Sequence, residues 1–150
     1  MRFAALSIAL AVMLSAATGA AEKPKLSLKA NPTMAFSPAR IIVTADLTGG
    51  ADDQQLYCLG VEWEWGDGTR SEDSADCEPF EAGKTQVKRR FTADHTFRME
   101  EPPNGVGQQP DYRDVHIQLH LKKAGKVVVS GGTTVKIKPE MSAPVPSPLR

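Results

Sequence analysis

Trp63-Glu64-Trp65-Gly66-Asp67-Gly68-Thr69 commits this chain to antiparallel sheet more firmly than any other stretch. In a strand, successive side chains point to opposite faces, so Val61, Trp63 and Trp65 share one face and Glu62 and Glu64 the other. One face is suited to a core and the other to water. Asp-Gly then reverses the chain, because glycine takes positive φ without steric cost and the aspartate carboxylate accepts nearby backbone N–H groups.

The rest of the chain follows the same two-residue rhythm, with no convincing helical period. The pattern predicts strands at Leu26 to Ala30, stopped by Asn31-Pro32, and along Ile41, Val43, Ala45 and Leu47, ending at Gly49-Gly50. Leu59 to Trp65 is a third, and Thr85 to Phe91 another, with Val87 and Phe91 facing inward. Val115, Ile117, Leu119 and Leu121 alternate without a break against His116, Gln118, His120 and Lys122. Gly125 turns this strand into Lys126 to Ser130, Gly131-Gly132 is expected to form a bulge or kink, and Thr133 to Lys138 ends the sheet. These runs predict an all-β sandwich of about seven antiparallel strands.

Residues 1–20 read as a secretory signal: Arg2 is the positive head, Phe3 to Ala16 an apolar run, and Thr18-Gly19-Ala20 a small-residue cleavage site. Cleavage after Ala20 or Ala21 and export to a bacterial periplasm or the extracellular space are expected, with no membrane insertion afterwards. Residues 22–139 form one domain, and 140–150 a Pro-rich disordered tail. The chain carries 18 basic and 18 acidic groups, and loss of Arg2 leaves 17 against 18. That balance argues against nucleic acid and anionic lipid, both of which require a basic excess. Glu72, Asp73, Asp76 and Glu78, followed by Lys84, Lys88, Arg89 and Arg90, read as two solvated segments attracting each other. Arg98 to Arg113 holds Pro102-Pro103, Asn104-Gly105 and Pro110, which predicts a long surface loop of the kind that carries function.

The two cysteines, Cys58 and Cys77, lie equally far from an Asp67-Gly68 turn. A two-residue hairpin loop would place them opposite each other, and an oxidising compartment would join them. No Cys-x-x-Cys spacing is present to suggest a redox site.

With this hairpin, the later His95-Thr96-Phe97 and the Val115 to Leu121 alternation, the chain resembles the PKD (polycystic kidney disease) domain family. The family's Trp-Asp-Phe-Gly-Asp-Gly strand is matched by Trp63-Glu64-Trp65-Gly66-Asp67-Gly68, and its His-x-Tyr by His95-Thr96-Phe97. The resemblance covers most of residues 25–138. It implies an immunoglobulin-like β-sandwich, commonly extracellular, that serves as a spacer or contacts protein or carbohydrate beside a catalytic domain. The expanded loop, the cysteine pair and the lack of an accompanying catalytic domain depart from the family's pattern.

No group of side chains reads as an active site, so a non-catalytic module is expected. Trp63 and Trp65 are expected in the core. In the polysaccharide alternative, Trp65, nearest the turn, would stack on sugar rings together with Tyr57 and Tyr112. Asp67 beside Glu64 is read as a turn carboxylate rather than half of a glycosidase pair, and Glu62 and Glu64 as a solvated face. Some PKD-like domains bind calcium near the loop before the Trp strand, and Asp46, Asp52 and Asp53 supply carboxylates there. The family's Asp-x-Asp-Gly loop is missing, and no metal or cofactor is assigned. His116 and His120 lie four residues apart on one strand, roughly 13 Å, too far to share one zinc ion. His95 is expected to be a buried hydrogen-bonding residue. The leading expectation is contact with a protein partner at the envelope or cell surface, through Pro102, Pro103 and Asn104 of the long loop or through an open sheet edge.

Overall fold

Alternating apolar residues close into two packed sheets. A computed structural model describes residues 22–99 and 112–139 of the chain. The signal-like 1–21, the loop residues 100–111 with Pro102, Pro103 and Asn104, and the tail 140–150 lie outside the described residues.

Eight strands follow in order: β1 (Lys25–Asn31), β2 (Met34–Phe36), β3 (Ala39–Thr48), β4 (Gly60–Glu64), β5 (Arg70–Asp73), β6 (Arg90–Phe97), β7 (Arg113–Lys123) and β8 (Lys126–Lys138). One sheet has the order β1-β3-β6 and the other β2-β8-β7-β4-β5. This is an all-β, immunoglobulin-like sandwich in which β1 and β2, on either side of Pro32, belong to different sheets. Pro32 has no N–H to continue the β1 ladder, and the chain crosses over to pair β2 with β8. That pairing is parallel, whereas every other ladder is antiparallel.

The core lies between the inner faces. Ile41, Val43, Ala45 and Leu47 of β3 meet Ile117, Leu119 and Leu121 of β7, Val135 and Ile137 of β8, and both tryptophans. Trp63 and Trp65 stack with centroids 5.4 Å apart, and Trp65 stacks in turn on His95 at 4.7 Å. Phe97 meets the His95 ring edge-on.

Three local expectations are corrected. Thr85 to Arg89 forms no ladder: the strand starts at Arg90 and runs on through His95 to Phe97, although Val87 and Phe91 are buried as expected. Paired with β3 from Asp46↔Arg90 to Ala39↔Phe97, it turns Phe91, Ala93, His95 and Phe97 inward, so a polar imidazole occupies an inward position. Gly131-Gly132 makes no bulge, because β8 is continuous; the irregularity lies between Leu121 and Lys122, opposite Val127 to Val129. Gly131 instead admits β1, since a Cβ there would stand 2.7 Å from the Leu26 carbonyl oxygen.

The third correction concerns the hairpin. Its loop has three residues, Gly66-Asp67-Gly68, closed by Trp65 N–H donating to Thr69 O at 3.1 Å. Gly66 and Gly68 both have positive φ, +76° and +89°, a conformation that favours glycine. The extra residue shifts the pairing by one, so Glu62 faces Glu72. The cysteines therefore lie beyond the ladder instead of opposite each other within it. They are nevertheless joined, with Cα atoms 6.0 Å apart.

Candidate functional site

The signature residues of the hairpin hold structure together. Asp67 Oδ1 accepts from the Thr69 amide at 2.9 Å and the Thr69 hydroxyl at 2.5 Å, and Oδ2 accepts from His95 Nε2 at 2.7 Å. Burial alone would raise the Asp67 carboxyl, but the Thr69 hydroxyl, His95 and the Thr69 amide together hold it below its ordinary range. His95 is thereby satisfied at a partly buried position and bridges the two sheets, since it belongs to β6 and Asp67 to the β4–β5 turn. Trp65 is 1% exposed, and its indole N–H donates to Ser71 Oγ at 2.8 Å. A buried indole with its donor engaged offers no face to a sugar ring, so Trp65 is removed from the polysaccharide surface.

The tyrosines do not assemble that surface either. Tyr57 donates its hydroxyl to Glu78 O at 2.8 Å and packs on Phe80 beside the disulfide. Tyr112 lies at the entry to β7, its ring 5.7 Å from Lys138 Nζ. The three calcium candidates are likewise engaged separately. Asp46 pairs with Arg90 at 2.7 Å and Asp52 with Arg89 at 2.5 Å, while Asp53 accepts the Gln55 and Leu56 amides. His116 bonds Thr134 Oγ1 through Nδ1 at 2.9 Å.

Two arrangements remain that the framework does not absorb. The first is on the outer face of the five-stranded sheet, where the ladder brings β4 and β7 together. Glu62 is paired with His120 and Glu64 with Gln118. Glu62 was expected in solvent but is 7% exposed. β4 is an interior strand, and long side chains from β5 and β7 cover it. Lys122 Nζ donates to Glu62 Oε2, and Lys122, with Glu72 and Arg70, holds the Glu62 carboxyl below its ordinary range. Arg70 pairs with Glu64 Oε1 at 2.8 Å. Donor atoms of Glu62, Glu64 and His120 all lie within 4.8 Å of one another.

The second is the edge formed by β2. Phe36 is 67% exposed and Met34 50%, and both stand beside Lys136 and Lys138 of β8. Lys138 Nζ lies 5.9 Å from the Phe36 ring and 5.7 Å from that of Tyr112. Met99 donates its N–H to Ser37 Oγ at 2.8 Å, next to the same edge. Sequence inspection did not single out β2, a three-residue strand between two prolines. Its one signal was Met34 and Phe36 flanking Ala35 in alternation.

No protein-family model matches this chain, and no curated protein matches it.

Proposed function

We propose that this chain is an exported, non-catalytic, PKD-like module that binds a partner protein at the bacterial envelope or cell surface through its β2 edge. The partner supplies an extended segment with apolar and acidic side chains. The observation that carries this reading is the β2 corner, where large apolar side chains, an uncommitted cation and an open strand edge coincide.

The other edges are unsuited to accept a strand. β5 is Arg-Ser-Glu-Asp, exposed throughout, and charge of that kind blunts an edge. On β6 the outward Arg90 and Asp94 are tied to Asp46 and Arg40 of the neighbouring strand. β1 approaches β8 closely enough that Gly131 is required there. On β2, Met34 and Phe36 are exposed, and Lys138 has no carboxylate partner among the described residues. An added strand would gain main-chain hydrogen bonds from the edge and side-chain contacts from alternate positions. Lys138 favours an acidic residue there, since Lys136 is already paired with Asp114. Met99 and Tyr112, the described residues on either side of 100–111, contact Ser37 and Lys138 beside this edge. The disulfide is compatible with an oxidising, exported setting.

A photo-crosslinking amino acid at position 36 or 34, in the cell that makes the protein, tests the reading. Both positions should give an adduct with the same protein, position 92 on β6 should give none, and Lys138→Glu should abolish it. Equal adducts at position 92, or adducts unaffected by Lys138→Glu, would reject the β2 edge as the contact.

A further inference from the structure

We propose that Glu62, Glu64 and His120 bind a divalent transition-metal ion, zinc by the chemistry of the donor set. The cluster is assembled by strand register. Glu62 and His120 face each other across the β4–β7 ladder, and Glu64 is two residues along on the same face. Their donor atoms lie within 4.8 Å of one another. Zinc takes nitrogen and carboxylate oxygen at about 2.0 to 2.2 Å in a tetrahedron, which sets ligand atoms roughly 3.4 Å apart. Small side-chain rotations close that difference.

The state of His120 points to a ligand. Its side chain is 20% exposed, its Nδ1 is buried without a hydrogen-bond partner, and its Nε2 is 3.9 Å from Glu64 Oε2. That separation is too long for a hydrogen bond. Neither ring nitrogen has a hydrogen-bond partner among the described residues: the buried Nδ1 carries the cost of being unpaired, and Nε2, on the Glu64 side, is free to take an ion. The other two histidines have partners, His95 in Asp67 and His116 in Thr134.

Neighbouring cations hold the carboxylates in place and leave room for the ion. Arg70 takes Glu64 Oε1, which leaves Oε2 directed at His120. Lys122 sits on Glu62, with Glu72 Oε1 3.9 Å away as an alternative partner when a metal displaces it. Three carboxylates, Glu62, Glu64 and Glu72, face two permanent cations, Arg70 and Lys122, so one negative charge is left over at the histidine. An imidazole among the ligands favours zinc, copper or nickel over calcium and magnesium, which take oxygen alone. Three protein ligands leave a fourth position for water or for a ligand atom from outside.

The test is zinc titration of the full, chelator-stripped, oxidised mature protein by calorimetry, with ¹⁵N NMR of the histidine side chains. Saturable uptake of one ion per chain and a shift of the His120 ring nitrogens are expected, along with a higher melting temperature. His120→Gln and Glu64→Gln should each weaken binding at least about tenfold, while His116→Gln should leave it unchanged. Calcium should not compete. Absence of saturable uptake would overturn the proposal, as would uptake that survives both substitutions or moves only the His95 or His116 resonances. Because the two variants alter different strands, misfolding of one leaves the other as the test.

Discussion

Asp67 shows how one side chain can set a turn, close a sandwich and make stability depend on pH. Its carboxylate serves the Thr69 amide and hydroxyl within the loop and His95 across the sheets. Asp67→Ala strips partners from partly buried donors and should lower unfolding free energy by about 1 to 3 kcal/mol in urea denaturation. The pH effect has a definite sign. A carboxyl held below its unfolded value contributes its stabilisation above that value and loses it as pH falls through the folded one. Wild-type stability should therefore drop more steeply than that of Asp67→Asn on acidification below about pH 4; parallel curves would remove Asp67 as the cause. The flanking glycines separate two costs. A Cβ on Gly66 would stand 2.3 Å from His116 O, whereas one on Gly68 would meet nothing within 4 Å. Gly68→Ala should thus cost about 1 kcal/mol from positive φ alone, and Gly66→Ala clearly more. The turn role of Asp67 was legible because Asp-Gly acts locally. The burial of Glu62 and the proximity of His120 to it were not, because they depend on which strands become neighbours.

At the level of elements, period and pairing have different legibility. The alternations of β3 and β7 are uninterrupted in sequence, and the structure buries the expected residues: Ile41, Val43, Ala45 and Leu47, then Val115, Ile117, Leu119 and Leu121. β6 was misplaced because its inward set, Phe91, Ala93, His95 and Phe97, includes a histidine whose hydrogen-bond partner is 28 residues away in sequence. The hairpin register was missed by one residue because Gly66 joins the loop, which nothing in Gly-Asp-Gly alone decides. The disulfide survives that slip, since Cys58 and Cys77 are joined outside the ladder, where chain direction is less constrained. Bridging residues 19 apart should stabilise the fold by about 3 kcal/mol in the chain-entropy model. Cys58→Ser with Cys77→Ser should lose about that amount in urea denaturation. Hydrogen exchange should quicken first in β5, the short edge strand beside the bridge. Uniform quickening across both sheets would instead mean that the bridge acts on the whole unfolded chain.

The molecule as a whole depends on how closely its two sheets approach where they are not hydrogen-bonded to each other. β3 and β7 supply the centre of the core, but at one side β1 of the three-stranded sheet leans against β8 of the five-stranded one. Gly131 marks that contact: a Cβ there would lie 2.7 Å from Leu26 O and 2.9 Å from a Leu28 methyl. The Leu26 oxygen belongs to a backbone already paired with β3, so it cannot withdraw without moving the ladder. Gly132 faces the other way and is exposed, and its nearest atom, Ile117 O, lies at 3.2 Å. From sequence the pair reads as a bulge, because two glycines in a strand have no side chains to declare a face. Their different surroundings become visible only when the sheets are stacked. Gly131→Ala should therefore force β1 outward and destabilise by about 1 to 3 kcal/mol, as overpacking does. Gly132→Ala should stay within about 1 kcal/mol, since alanine gains strand propensity at an exposed site. Urea midpoints of the two variants, with unchanged slopes, check the contrast. Amide exchange in Leu26 and Leu28 should quicken only in Gly131→Ala. Equal midpoints would mean that β1 has room to yield, and that the close approach to β8 does little to hold the sheets together.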